Sequence, residues 1–467
     1  MRSELFDESV LDLAHRHALS FLHGIGDRHA GARATHDELM AALRVPLSDA
    51  GEGANSVIEA LAAEAERGTV GNVGPRYFGF VIGGSIPVSL AADWMTSTWD
   101  QNAGMFSTSP LASAVEEISA EWLLDLFDLP RTASVGFVTG CQMANFTCLS
   151  AARNGILRRV GWDVEADGLP GAPRVNIIVG AEAHVTVLTA LRMLGFGTRS
   201  AHVVAIDEQG RMRPDDLRRV MQGLSGPSII AAQAGNVNSG AIDPLPEVAA
   251  IAREHDAWLH VDGAFGLWGR ATADRRPLLD GIELADSWAT DAHKWLNVPY
   301  DNGICIVRHT AAHRSAMSVK AAYLEQTGGV ERDNFEWSPE FSRRARGFTV
   351  YAALRTLGRR GIAALIERGC ARARQFAELL SHHAQAKVLN EVVLNQVLVR
   401  FTHSDEVTRD VIARVQREGT CWLAGTTWHG KAAMRISVSH WATSEEDVER
   451  SAAAILRCVE AAATSAL

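Results

Sequence analysis

The period of the hydrophobic pattern changes along the chain. Over residues 1–70 apolar side chains recur at helical spacing, first Leu5, Val10, Leu11 and Leu13 and later Val57, Ile58 and Leu61, which predicts an amphipathic N-terminal helical arm. The Gly-rich, aromatic stretch VGNVGPRYFGFVIGGSIP (70–87) cannot be a regular helix. Helical spacing returns over 111–127. Short apolar runs then follow at 135–138, 175–179, 202–206, 228–232, 257–261 and 303–307, with helix-like segments between most of them. Near-continuous apolar strands alternating with helices predict an α/β fold whose parallel sheet is covered on both faces. Beyond it, a helix-rich span (345–382) leads to alternating segments at 392–401 and 433–438. Ser444-Glu445-Glu446-Asp447 reads as a capping-box-like start to a last helix. The expected organisation is an N-terminal helical arm (1–70), a large domain (71–345) and a smaller C-terminal α/β domain (346–467).

Composition narrows the function. The chain has 467 residues, 47% hydrophobic and 21% charged, an ordinary globular mix. Its 45 basic and 55 acidic side chains leave a net charge of −10, with no basic stripe to neutralise a phosphate backbone, so nucleic acid is not the expected partner. No apolar run approaches the roughly 18 residues of a membrane span. The opening MRSELFDESV is polar and acidic where a secretion signal is basic and then apolar, so a cytoplasmic location is expected. Six scattered cysteines lack any CxxC pair, which suits neither a zinc site nor a disulfide framework. Seventeen histidines include no HEXXH, and no metal is expected.

In such sheets ligands bind at the carboxyl ends of strands. After the run 135–138 comes Thr139-Gly140-Cys141-Gln142, opening a helix whose free N–H groups suit a phosphate. The run 175–179 leads to His184, and the run 257–261 ends in Asp262. His260 is placed on the opposite face of that strand. Asp262, too costly to bury unpaired, is therefore left needing a cation from elsewhere. Lys294 lies 32 residues further on, between His293 and Trp295. Each feature alone has an ordinary structural explanation. Together, in this order, they suit pyridoxal phosphate: a phosphate for the helix start, an aldehyde for the lysine, a ring nitrogen for the carboxylate, and a ring to be stacked upon. Desolvation is expected to lower the lysine's pKa and free its amine.

HVDGAFG (260–266) and DAHKWLNVPYDNG (291–303) resemble the group II pyridoxal-phosphate-dependent amino-acid decarboxylases, from about residue 70 to the C-terminus. The resemblance implies the aspartate-aminotransferase-like fold (fold type I), with a mostly parallel seven-stranded sheet and a smaller α/β domain. It implies a homodimer with the active site at the subunit interface, and decarboxylation of a free L-amino acid; the aromatic-rich stretch near 324–342 adds the expectation of an aromatic or otherwise bulky substrate. Carried over residue by residue, Lys294 is similar to the Schiff-base lysine and Asp262 to the pyridinium partner. Ala264 matches the small residue beneath the ring and His184 the stacking group. Gly140, Cys141, Gln142 and His293 match phosphate-contacting positions, with Thr290 and Asp291 beside them. Phe80, Trp99, Asn102 and Arg435 match stretches that line the substrate pocket. One departure stands out. The loop at about 324–342, LEQTGGVERDNFEWSPEFS, lacks the tyrosine that protonates the product carbon in the family, and Phe335 or Trp337 lies nearest its place, with Tyr323 at the loop's start. Relatives with phenylalanine there resemble aldehyde synthases, so decarboxylation coupled to oxidative deamination, giving an aldehyde, is the alternative activity.

Overall fold

The computed structural model describes residues 8–318, 331–402 and 404–465. Tyr323 and residues 324–330 of the predicted loop lie outside the described residues. Six of the seven strands in the main sheet coincide with the predicted apolar runs: β1 (Ser134–Val138), β2 (Asn176–Gly180), β3 (Ala201–Val204), β4 (Ser228–Gln233), β5 (Trp258–Asp262) and β7 (Gly303–Val307). Hydrophobic periodicity passes over the seventh, β6 (Ser287–Asp291, sequence SWATD), because three of its five residues are polar. Every β6 residue is nevertheless buried. Its polar atoms find partners supplied by tertiary structure, among them Ser287 Oγ, which accepts from Trp258 Nε1 at 2.9 Å, and Thr290 Oγ1, which donates to the Ala264 carbonyl at 3.3 Å.

The strand order is β1-β7-β6-β5-β4-β2-β3. Only β7 runs antiparallel to its neighbours, β1 and β6. The other pairings are parallel, so the carboxyl ends of β1, β2, β5 and β6 share one edge. Both faces are packed. One carries Trp268, Trp288 and Trp295, and the other holds Trp258 together with the apolar side of the helix Cys141–Arg159. Burying side chains of this size contributes roughly 1.5–3 kcal/mol each, enough to hold a polar strand such as β6 between them.

A second, antiparallel sheet has the order β10-β11-β9-β8, built from β8 (Ala386–Val388), β9 (Gln396–Phe401), β10 (Ala424–Trp428) and β11 (Lys431–Ser437). The two residues between β10 and β11, His429 and Gly430, both have positive φ (46° and 75°), as the tight hairpin turn that matches strand twist requires. Helices Gly347–Ser381, Asp405–Glu418 and Glu445–Ser465 cover this sheet. The aromatic stretch that breaks the N-terminal pattern is tied to it. Phe78 N donates to Trp422 O at 2.7 Å, Ser437 N donates to Phe78 O at 2.9 Å, and Tyr77 stacks on Trp422 at 4.9 Å. The N-terminal region forms helices Glu8–Gly24, His36–Leu43 and Ala54–Gly68. Only Leu13 among their apolar residues is buried, while Leu11, Val57 and Leu61 are exposed.

Candidate active site

The strand ends at the carboxyl edge of the main sheet converge on a buried cluster. β5 ends in Asp262, β6 ends in Asp291, and the single turn Ala292–Trp295 carries His293 and Lys294. The turn after β1 brings Gly140 and Cys141 against them. Close approach explains two glycines here. A Cβ on Gly303 would lie 2.4 Å from the Gly140 carbonyl carbon, and one on Gly83 would lie 1.7 Å from the Lys294 carbonyl oxygen.

Asp262 is 4% exposed, yet its hydrogen-bond partners are neutral. Oδ1 accepts from Ala264 N at 3.1 Å and from the Cys141 thiol at 3.5 Å, and Oδ2 accepts from Asn145 Nδ2 at 3.3 Å. Asp291 is the more heavily engaged carboxylate. Its Oδ2 pairs with Lys294 Nζ at 2.9 Å, while its Oδ1 accepts the Cys141 backbone N–H at 2.6 Å and lies 3.4 Å from His293 Nε2. The first N–H of the Cys141–Arg159 helix, predicted for a phosphate, is thus already capped by a carboxylate. Gln142 is exposed on the following turn position, where the next N–H groups of the helix lack intrahelical partners.

These charges correct one expectation. Burial alone pushes Lys294 toward the neutral amine, but Asp291 beside it, with Asp262 acting in the same sense, more than reverses this and holds the ammonium above its ordinary range. Burial, reinforced by Asp262 and Asp291, drives the Cys141 thiol well up, so it stays protonated. His293 is pushed down by burial and accepts the Asn302 N–H on Nδ1 at 3.0 Å. Its ring lies 4.2 Å from that of Tyr300, whose phenol burial raises to about 12.

His184 caps the helix Val185–Met193. Its Nδ1 meets Thr186 Oγ1 at 2.7 Å and the Thr186 N–H at 3.4 Å. A backbone N–H can only donate, so Nδ1 is the bare nitrogen and the hydrogen sits on Nε2. Burial, with Lys294 and Arg435 contributing, pushes the imidazole's pKa down against the pull of Asp262, so the ring is neutral at neutral pH. Arg435, on β11, is 8% exposed, and its Nε has no hydrogen-bond partner. It is the small sheet's contribution to this side of the cluster.

A second correction concerns His260. Residues two apart on a strand share a face, so His260 lies on the side of Asp262 and not opposite it. Both reach Asn145, whose Oδ1 accepts from His260 Nε2 at 2.9 Å. Asn145 and Thr186 went unnoticed in the sequence, although Asn145 lies one helical turn beyond Cys141 and therefore on the same helix face.

The residues predicted to line the substrate pocket divide. Arg435 joins the cluster. Phe80 is 56% exposed beside Trp422 (ring separation 5.5 Å), and Trp99 is 43% exposed with its edge against Phe348. Asn102 ties its loop to the segment around Arg343, where its Oδ1 accepts from Gly104 N and Arg343 N. Phe335, matched to the place of the missing loop tyrosine, is 2% exposed and packs on Phe341. Phe335 N donates to Gly104 O, so this residue is part of the core.

Comparison with known proteins agrees with this geometry. The sequence profile described as the pyridoxal-dependent decarboxylase conserved domain matches residues 37–402. The chain belongs to the pyridoxal-dependent decarboxylase family. Its cofactor is pyridoxal phosphate, and its activity is that of an amino-acid decarboxylase, a carboxy-lyase. This decarboxylase is 29% identical over 375 residues to L-2,4-diaminobutyrate decarboxylase of Rhizobium meliloti, covering 78% of this chain and 73% of the relative. It is 28% identical over 392 residues to aromatic-L-amino-acid decarboxylase of Bacillus atrophaeus, covering 80% and 78%. In fold it resembles Oryza sativa TDC with PLP and tryptamine, with a TM-score of 0.90, 23% identity and 97% of each chain covered. Fold type I is therefore the architecture of this decarboxylase.

Proposed function

We propose that Lys294 is the covalent anchor of pyridoxal phosphate and Asp262 the partner of its ring nitrogen, with His184 over the ring and Ala264 beneath it. Gly140, Cys141, Gln142, Thr290 and His293 would hold the phosphate end, with Asp291 beside them as the counter-charge of Lys294. The observation that carries this reading is the pairing within one buried cluster of an ammonium and a carboxylate that, among the described residues, is bonded only to neutral donors. A protonated ring nitrogen is the cation such a carboxylate lacks. Pyridoxal phosphate supplies an electron sink for the bond broken at the amino acid's α-carbon. The chain's own tasks are then electrostatic. Asp262 holds a proton on the ring nitrogen, Asp291 governs the proton on Lys294, and neutral His184 presents Nε2–H to the site. The guanidinium of Arg435, whose Nε has no hydrogen-bond partner among the described residues, binds the substrate's carboxylate, where Arg suits a planar anion.

The substrate proposed is a free L-amino acid with an aromatic or bulky side chain, supported by the half-exposed rings of Phe80 and Trp99. The proposed assembly is a homodimer whose second subunit covers the exposed apolar face of the arm and the exposed Trp94, Trp99 and Trp122. Six free, buried cysteines support a reducing, cytoplasmic setting. A second reading, loss of carbon dioxide coupled to oxidative deamination by molecular oxygen to give an aldehyde, rests on the absence of tyrosine from 324–342.

The deciding experiment incubates holoenzyme with a panel of L-amino acids and identifies products by mass spectrometry, with hydrogen peroxide assayed alongside. Amine and carbon dioxide without peroxide are expected. Aldehyde, ammonia and peroxide would establish the second reading instead. Lys294→Ala should remove both the cofactor's lysine-linked absorbance and turnover, and surviving turnover would overturn the assignment of the anchor.

A further inference from the structure

Behind Asp262 runs a buried chain of hydrogen bonds that the reaction as described does not use. Trp258 Nε1 lies 2.9 Å from Ser287 Oγ, and Ser287 Oγ lies 3.0 Å from His260 Nδ1. His260 Nε2 lies 2.9 Å from Asn145 Oδ1, and Asn145 Nδ2 lies 3.3 Å from Asp262 Oδ2. Trp258, Asn145, His260 and Ser287 are each 0% exposed.

The direction of every bond in this chain is determined from its two ends. An ionised carboxylate only accepts, so Asn145 turns its amide nitrogen toward Asp262 and its carbonyl oxygen toward His260. That oxygen only accepts, so His260 carries its hydrogen on Nε2. In the neutral ring Nδ1 is then bare and takes the Ser287 hydroxyl hydrogen, while the Ser287 oxygen accepts from the indole N–H, which can only donate. All four donors point toward Asp262. Burial agrees with the neutral ring this requires, pushing His260 down to about 4. Hydrogen bonds aligned head to tail in a dry interior polarise one another, and the carboxylate at the end gains from all of them.

We propose that Asn145 is a positioning residue which joins Asp262 to a polarised Trp258–Ser287–His260 chain, holding the carboxylate ionised and oriented so that the ring nitrogen paired with it keeps its proton. The proposal rests on the reading of Asp262 as the ring-nitrogen partner. Asn145 is suited to the task because its amide donates and accepts at once. Ala264 N and the Cys141 thiol serve the other oxygen, Oδ1, and leave Oδ2 to Asn145 alone among the described residues. Lys294, Asp291, Cys141 and His184 also face Asp262 and stay unaltered in the variants below.

The test uses holoenzyme prepared with pyridoxal phosphate labelled with 15N at the ring nitrogen, whose protonation is followed against pH by solid-state 15N NMR. Losing the bond that orients the carboxylate should lower the midpoint in Asn145→Ala, by less than the roughly one to two pH units that a hydrogen bond to a charged group is worth, because that bond is present on both sides of the ring's titration. His260→Gln, which keeps a donor toward Asn145, should shift it less. Ser287→Ala, milder and two bonds removed, should move it in the same direction by a smaller amount, and serves in place of Asn145→Ala if that variant does not fold. Asp262→Ala separates the two levels of the argument. If it moves the midpoint while the Asn145 and Ser287 variants do not, the chain is overturned and Asp262 keeps its role. If it too leaves the midpoint unchanged, the reading of Asp262 itself fails.

Discussion

At the scale of single residues, the strand ends disclosed Lys294, Asp262, His184 and the Gly140 turn, because a polar side chain following an apolar strand in an α/β sheet lies at the ligand edge wherever its partners are. What the residue types could not disclose is how their charges combine. Lys294 reads as a desolvated amine in sequence, and only its 2.9 Å approach to Asp291 makes it a held ammonium. Asp291→Asn removes the principal counter-charge while keeping the shape, so the Lys294 pKa should fall. Acetylation of the cofactor-free protein, with peptide mass spectrometry following Lys294 against pH, should show its reactivity rising at lower pH than in the parent. An unchanged profile would mean that burial and the other neighbours already set the lysine's proton affinity. The His184 tautomer belongs to the same scale. Thr186→Val removes the hydroxyl 2.7 Å from Nδ1.

At the scale of elements, the segment after residue 331 is secured by Arg343, whose side chain is 1% exposed. Its guanidinium bonds Glu116 Oε1 at 2.7 Å and Oε2 at 3.1 Å, together with the carbonyls of Phe137 and Ala103. One residue thereby joins the helix Pro110–Phe127, the end of β1 and the Asn102 loop. Glu116→Ala strands a buried cation and should cost about 3–5 kcal/mol in denaturant unfolding. A loss below about 1 kcal/mol, the scale of an exposed pair, would mean that the carbonyls and water suffice. Gly83→Ala tests a different contact, since its Cβ would collide with the Lys294 backbone. Loss of cofactor binding together with a lower melting temperature is the expected result, since a collision with buried backbone forces the main chain to shift. The strand β6 shows why element prediction stopped where it did. Periodicity detects burial through apolar side chains, and SWATD is buried because Trp258, Ala264 and Cys141 meet its polar atoms from other parts of the chain.

At the scale of the whole molecule, buried histidines couple stability to pH. Burial lowers His260 and His440 to about 4 and His313 to about 3, against roughly 6.5 in the unfolded chain. Between these limits the unfolded chain takes up protons that the folded one excludes. Stability is thus full above about pH 6.5 and declines as pH falls toward 4, by an upper limit of about 3 kcal/mol per histidine. Asp243, raised to about 6 by burial, and Glu182, also raised by burial, act in the opposite sense, but His184 and His293 are lowered as well, so two carboxyls stand against five histidines. Thermal unfolding should therefore have a clearly lower midpoint at pH 5 than at pH 7.5, and equal midpoints would contradict the buried neutral histidines. The exposed apolar face of the arm makes a second prediction at this scale. Sedimentation equilibrium should give a dimer, and removing residues 1–70 should shift it toward monomer.

The sequence alone determined the α/β architecture, the six apolar strands and the cofactor's chemical requirements, since local hydrophobic period and residue type report burial and reactivity without any knowledge of partners. Tertiary structure decided the rest. It showed that β6 is a strand and that His260 stands with Asp262. It placed Phe335 in the core and engaged Asn102 with the distant segment around Arg343. It also set a carboxylate on the helix start that had been reserved for a phosphate. Each of these depends on which distant groups meet, and a hydrogen bond or ion pair has no signature in sequence until the fold has brought its two halves within about 3 Å.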